Sequence, residues 1–392
     1  MIYWIIQRIP VVQRALYRMK ITTEHTVDGL RFIDHLHTTA RQLYVCSEVV
    51  TIIGTKQVPL AILSQLISAW STKEEKKNLD YKKSKGKLTE GVKSTTALQH
   101  YVALCKSLGL ISGLNNFYTN TRLAYLLIHF ISKMGKERKG INEYEKCFYF
   151  FQLMNVDADG ILLLLHLLEN GSKNQSELQQ HFKEELNKRL DAKKDIAPAN
   201  VKETIREKYR VVNVVWKKPE KYAEHVLIPR CSWLETLGII QIERKGSSAV
   251  YSLSQVGREF LDSIPKLSEG TTRDITEGWL FSNFFGTISR IYLNGAKAYT
   301  GLIEEEKKSI LAHSLNEALI VIKTSTPSKI SLFDTLLFVC ISTMVEKRIF
   351  IEFSEIVQEI EKGIYIGGKQ FILNEVGRIN ESYIATRDSN ET

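Results

Sequence analysis

Arg230–Arg258, RCSWLETLGIIQIERKGSSAVYSLSQVGR, decides the fold class of this chain. It completes an apolar stripe at helical spacing, Tyr222, Val226, Trp233, Leu234 and Leu237, which predicts an amphipathic helix over Glu220–Leu237. Gly238 stands where a helix C-cap glycine belongs. Ile239–Glu243 and Val250–Leu253 follow as two short strands joined through a Gly246–Ser248 turn. Ser254 then caps a helix over Gln255–Ile264, which Pro265 stops.

The same order occurs earlier, in Pro59–Ser132. A helix runs from Pro59 to Trp70, and after a lysine-rich insertion a second runs from Ser94 to Leu108. Its apolar face is Leu98, Tyr101, Val102, Cys105 and Leu108, and Gly109 ends it. A hairpin over Ile111–Tyr118 turns at Asn115-Asn116, and a helix over Thr121–Ile131 packs back. Ser107-Leu108-Gly109-Leu110-Ile111 answers Thr236-Leu237-Gly238-Ile239-Ile240, and Tyr118-Thr119-Asn120-Thr121 answers Tyr251-Ser252-Leu253-Ser254. This internal echo marks a repeated supersecondary unit.

A looser third copy spans Ser331–Ile384. Ser331 and Asp334 form an N-cap signal for a helix to Met344. Phe353–Glu361 reads as a second helix, Ile364–Phe371 as a hairpin turning at Gly367-Gly368, and Asn374–Ile384 as a final helix. Leu373-Asn374-Glu375-Val376-Gly377-Arg378 echoes Leu253-Ser254-Gln255-Val256-Gly257-Arg258. Between the second and third copies, Glu277–Gly301 reads as one long aromatic helix carrying Trp279, Phe281, Phe284, Phe285 and Tyr292.

The helix–helix–hairpin–helix order resembles the winged-helix family. The expected fold class is therefore mainly α with short β-hairpins, as tandem winged-helix-type domains. An N-terminal helical segment over 1–57 precedes a first winged domain at 58–135 with a lysine-rich insertion. A second winged domain at 136–265, a linker helix at 266–304 and a third winged domain at 305–392 complete the expected organisation.

Composition sets the class of partner. The 392 residues carry a formal net charge of +9, and 44% are hydrophobic, an ordinary globular fraction. The positive excess favours polyanions. No apolar run approaches the roughly 20 residues of a bilayer span, so no membrane association is expected. Met1–Ile6 is apolar but is cut off by Arg8, and reads as a packed segment. The five cysteines (Cys46, Cys105, Cys147, Cys231 and Cys340) are dispersed, which points to a reducing, cytoplasmic setting.

In a winged helix the helix before the hairpin enters the major groove and the hairpin reaches the backbone or the minor groove. In the second copy that helix carries Lys217, Lys218, Lys221, His225 and Arg230, and the hairpin tip carries Arg244 and Lys245. In the first copy it carries Thr95, Thr96, Gln99, His100 and Lys106. Gln99 has the donor–acceptor pair that matches adenine, while threonine suits a phosphate or a thymine methyl. The lysine-rich stretch Lys73–Lys93 reads as a solvated loop or a backbone-tracking element. Lys183–Lys221, rich in both signs, reads mainly as solvated helix.

No catalytic or metal site is expected, and no cofactor. His35-x-His37 lacks further ligands at a useful spacing. Asp157-x-Asp159-Gly160 opens like a calcium loop, but Ile161–Leu165 replaces the later ligands, so it reads as a helix-capping turn. Asp80-x-Lys82, Asp191-x-Lys193 and Glu306-x-Lys308 match only the tail of a nuclease motif that would hold Mg²⁺. Phosphate-binding and nucleophile-elbow motifs are missing.

Ala97–Tyr125 and Lys221–Leu253, including Glu220-Lys221-Tyr222-Ala223 and Trp233-Leu234-Glu235-Thr236-Leu237-Gly238, are similar to the DNA-recognition half of type IIS restriction endonucleases of the Fok type. The similarity spans Ile52–Ile264 and implies sequence-directed duplex binding. It does not extend to a cleavage domain. The expected function is double-stranded DNA binding as the recognition subunit of a restriction or phage-defence system, with a nuclease or ATPase partner chain supplying the chemistry. The alternatives are a winged-helix scaffold subunit, which the apolar Trp4, Ile5 and Tyr17 would suit, and a divergent Mg-dependent nuclease. A positive stripe joining Lys221, Arg230 and Arg244 would favour DNA over a protein partner.

Overall fold

A computed structural model of the chain describes residues 29–77, 95–133, 140–245, 248–267, 272–293, 295–322, 329–366, 368–374, 376, 379 and 381–388. Trp4, Ile5, Tyr17 and most of the lysine-rich stretch lie outside the described residues. The protein is mainly helical with small antiparallel sheets.

The first repeat runs α1 (Leu43–Ile53), β1 (Val58–Pro59), α2 (Leu60–Lys77), α3 (Thr95–Ser107), β2 (Ile111–Leu114), β3 (Phe117–Asn120) and α4 (Arg122–Ser132). Its sheet has the order β1–β3–β2, so the strand between the first two helices closes onto the hairpin edge. Leu98, Tyr101, Val102, Cys105 and Leu108 of α3 are buried. Asn115 and Asn116 both have positive φ, at 52° and 62°, which matches a two-residue hairpin to the strand twist.

The second repeat begins inside α5 (Glu143–Glu169) and continues through β4 (Lys173–Asn174), α6 (Gln175–Ile196) and α7 (Ala199–Arg210). A π-turn at Val211–Val215, α8 (Pro219–Thr236), β5 (Ile240–Lys245), β6 (Ser248–Leu253) and α9 (Gln255–Ser263) complete it. Its sheet order, β4–β6–β5, repeats the first.

The sequence echo has an atomic basis. Gly109 and Gly238, at φ 67° and 74°, turn the chain from helix into hairpin. The Thr121 hydroxyl donates to the carbonyls of Gly109 and Leu110 at 2.7 and 3.0 Å. The Ser254 hydroxyl donates to those of Gly238 and Ile239 at 2.7 and 2.9 Å. Each hydroxyl also accepts an N–H of the helix it caps, from Ala124 and Gly257 respectively.

The last third departs from expectation. Glu277–Gly301 is not one helix but two, α10 (Glu277–Ser282) and α11 (Phe284–Tyr292), broken at Asn283 with φ −141° and ψ −12°. The break lets Phe281 and Phe285 both stack on Phe353, at 5.1 and 5.7 Å. Then come β7 (Lys297–Ala298), α12 (Glu304–Val321), β8 (Lys329–Ser331), α13 (Leu332–Lys347), β9 (Ile349–Phe350), α14 (Phe353–Glu361), β10 (Ile364–Ile366), β11 (Lys369–Asn374) and β12 (Tyr383–Asp388). The expected final helix over Asn374–Ile384 is replaced at its end by β12. That strand pairs antiparallel with β11 from Tyr383 opposite Asn374 to Asp388 opposite Lys369. Ile384 is buried in a sheet of order β10–β11–β12–β8, opposite Leu373 and Ile330 on the strands to either side.

The helix α5 is long and apolar enough to cross a bilayer, but 83% of its most apolar window is buried inside the protein. It kinks at Asp157, whose φ of −138° is non-helical. The expected capping turn is instead a buried ion network. Asp157 accepts from Arg230 Nε at 2.8 Å and from the Ile33 amide at 2.9 Å. Asp159 accepts from Arg189 Nε at 2.7 Å, Lys193 Nζ at 3.0 Å and the Arg31 amide at 2.8 Å. Asp274 takes Arg189 Nη2 at 3.1 Å and Lys193 Nζ at 2.9 Å. Arg189 and Lys193, expected on a solvated helix, are therefore interior, as is Lys208, which pairs with Asp34.

Arg230→Ala would strand Asp157, and we expect it to destabilise the fold by about 3–5 kcal/mol in urea titration. A Cβ at Gly160 would crowd the Arg230 guanidinium, so Gly160→Ala should cost about 1–3 kcal/mol. Burial pushes the Asp159 carboxyl up, but Lys193 and Arg189 together pull it down to about 2. Its contribution is thus present above the unfolded value near ~3.9 and lost as pH falls toward the folded one. Acid unfolding monitored by circular dichroism checks the sign.

Candidate nucleic-acid interface

The helices that precede the two hairpins are α3 and α8. On α3, Gln99 and Lys106 are exposed, and Lys106 Nζ lies 5.0 Å from the centre of the Tyr118 ring on the hairpin. Thr95 and Thr96 open the helix, but their side chains lie outside the described residues. Pro219 starts α8, and Lys217, Lys218 and Lys221 are exposed around its first turn. Three ammonium groups at the positive end of a helix make an anion-attracting surface.

Apolar groups flank these lysines. Val214 and Val215 are exposed, and Trp216 stacks on Tyr222 at 4.8 Å with 4° between the rings. Flat aromatic surface beside cations suits a sugar-phosphate backbone with unpaired or splayed bases as well as a duplex edge.

Two expected contacts are corrected. Arg230 is fully buried and bound to Asp157, so it cannot meet a ligand. The reason is helical phase: position 230 lies one turn beyond Val226 and one before Leu234, on the inward face. Arg244 is exposed on the hairpin, but Glu235 holds its guanidinium through two bonds of 2.8 and 2.7 Å. The stripe Lys221–Arg230–Arg244 is therefore not continuous. Lys245 ends β5, and its side chain lies outside the described residues.

The structure adds residues that spacing did not single out. The N-terminal arm, residues 29–42, lies across both repeats. Trp233 Nε1 of α8 donates to the Ala40 carbonyl at 2.9 Å, and the Gln42 amide donates to the Tyr101 hydroxyl of α3 at 3.3 Å. The arm places the His37 ring between His100 of α3, at 3.9 Å and 4°, and His225 of α8, at 4.7 Å and 28°. Burial lowers the His37 pKa, and His100, His225 and Arg41 lower it further, with Glu224 opposing. Burial and His225 lower that of His100. These rings are 63 to 188 positions apart in sequence, so no local pattern could pair them.

Asp159, Asp274 and Lys193 bring together two carboxylates and a lysine, the donor set of a nuclease centre. Their side chains are 0%, 2% and 1% exposed and are locked to Arg189. A phosphodiester cannot reach them. Among the described residues no group of three or more His, Cys, Asp or Glu is disposed to hold a metal ion.

No family model and no curated protein matches the chain. A solved structure of the restriction endonuclease FokI aligns with 92% of this chain at 13% identity and a TM-score of 0.31. The chain covers 64% of that one, so it spans less than two thirds of its length.

Freeing Arg244 from its partner tests the surface. Glu235→Gln should move elution from heparin to higher salt, while an exposed pair of this kind holds under about 1 kcal/mol, so thermal melting should barely change.

Proposed function

We propose that this chain binds double-stranded DNA through two winged-helix units, with α3 and α8 laid into the major groove. It serves as the recognition subunit of a restriction or phage-defence system, and a nuclease or ATPase partner chain performs the chemistry. The observation that carries this reading is the repeated order of helix, edge strand, two or three helices and hairpin. In both repeats the edge strand docks on the hairpin, and the helix before the hairpin keeps polar side chains in solvent.

The roles follow from chemistry. Lys217, Lys218 and Lys221 neutralise phosphates and set the register of α8. Gln99 reads a base edge from α3, with Lys106 on the adjoining backbone. Arg244 joins them only after leaving Glu235, and His225 acts from the inner edge of α8. The five cysteines are free and buried, which fits a cytoplasmic setting.

A scaffold role is the second reading, favoured by the exposed Ile62, Leu66, Leu114 and Phe117 on the first repeat. A Mg²⁺-dependent nuclease is the third, and nicking of DNA by the purified chain alone would establish it.

The deciding experiment is retention of a random duplex pool across a salt series, with the retained DNA sequenced. We expect an enriched motif and a steep fall of affinity with salt. Joint replacement of Lys217, Lys218 and Lys221 by alanine should flatten the log–log slope by about 0.9 for each phosphate no longer neutralised. No retention at low salt would overturn the DNA reading in favour of the scaffold.

A further inference from the structure

The seam where α3, α8 and the N-terminal arm meet holds three imidazoles and a guanidinium. His37 is stacked between His100 and His225, and Arg41 follows on the same arm. We propose that His37, His100, His225 and Arg41 form a phosphate seat for the DNA backbone, filled with uptake of protons by the imidazoles. The proposal rests on the DNA-binding reading above and deepens it.

The geometry carries the argument in three steps. First, the rings are nearly parallel and in contact, so a second proton on the stack meets the first at a ring separation of 3.9 Å. Coulomb repulsion at that distance opposes a second proton even at the dielectric constant of water. Simultaneous charging of His37 and His100 is therefore disfavoured, in keeping with the lowered pKa of both. Second, the protein offers little to offset added charge. Besides the other two imidazoles, the charged groups acting on His37 among the described residues are Arg41 from the arm, which opposes protonation, and Glu224 from α8, which favours it. A bound anion supplies what the protein lacks. Third, a ring nitrogen is left over: the Nδ1 of His225 is buried with no hydrogen-bond partner. His37 Nδ1 is already engaged, accepting from the Thr39 amide at 3.3 Å.

A metal ion is the poorer occupant. Ligation needs ring nitrogens converging edge-on at one point, whereas rings 4° from parallel direct their lone pairs side by side. Phosphate oxygens, in contrast, accept hydrogen bonds over a broad range of directions. Gln99, which precedes His100 on α3, and Lys221, one helical turn before His225 on α8, are both exposed, so each helix carries a polar group close in sequence to its seam histidine.

The test uses the full chain, EDTA, constant ionic strength and a fixed duplex between about pH 8 and about pH 6, a window that brackets the ordinary imidazole value near ~6.5. Wild-type affinity should rise as pH falls through that value, by up to about tenfold per pH unit for each proton taken up. The double variant His37→Gln, His100→Gln should show less than about half of that slope by the same linkage. His100→Gln alone, on a half-exposed position of α3, serves if the double variant melts early. An unchanged slope in these variants places the proton elsewhere and overturns the seat. A separate measurement follows the imidazole C–H resonances while inorganic phosphate is added. Upward movement of the His37 and His100 titrations supports the seat, and no movement overturns it. If duplex never binds while phosphate still moves the imidazoles, the DNA reading falls and the anion seat stands.

Discussion

The pairing of Arg230 with Asp157 at the kink of α5 is the constraint on which the rest of the molecule depends. The kink exists because Asp157 leaves helical geometry, and the freed carboxylate reaches both Arg230 and the Ile33 amide. Arg230 in turn donates to the Ile33 carbonyl at 3.1 Å, so one ion pair fixes α5, α8 and the arm together. Two residues on, Asp159 does the same for α6 through Arg189 and Lys193, and Asp274 carries the network to the segment before α10. Such a cluster is weak evidence for stability, because desolvating the charges offsets much of their attraction. Its geometry is nevertheless directional, and five segments can satisfy it in one arrangement.

That arrangement decides what the candidate interface is. With α8 held by Arg230 on its inner face, Lys217, Lys218 and Lys221 are left on the outer side of its first turn. With the arm held by Ile33 and Arg31, His37 is delivered between two helices from different repeats. The surface offered to a polyanion is thus built from three segments whose relative placement is set beneath it, in the interior. A positive sequence stripe is not needed for such a surface, and none is present across Lys221, Arg230 and Arg244.

Local signals in the sequence translated well where the structure is local. The glycine-ended helices, the Asn115-Asn116 turn and the hydroxyl cap at Ser254 each rest on residues close together in the chain, and each appears where its pattern placed it, while Thr121, read as the first residue of its helix, caps it instead. The third segment broke the pattern because Leu373-Asn374 ends a strand, yet Tyr383-Ile384, expected at the end of a helix, belongs to β12. The charged residues were the least legible. Arg189, Lys193 and Arg230 have the composition of solvated helix, and only partners 30 to 85 positions away make them interior. The exposed lysines of α8 were readable as surface, whereas the histidine seam depends on contacts that no periodicity encodes.

The arm also imposes an order of events on the growing polypeptide. Ile33 bonds across 124 positions to Asp157 and across 197 to Arg230. During synthesis at roughly 5–20 residues per second, the arm emerges before these partners and waits on the order of ten seconds or more for the last of them. Contacts of such sequence separation close late, after the helices of each repeat have formed locally. Until then α5 carries an unpaired Asp157 amid an apolar helix. A nascent chain of this protein is therefore most in need of protection between the emergence of Asp157 and that of Arg230, and the arm, made before either, is among the last segments to find its place.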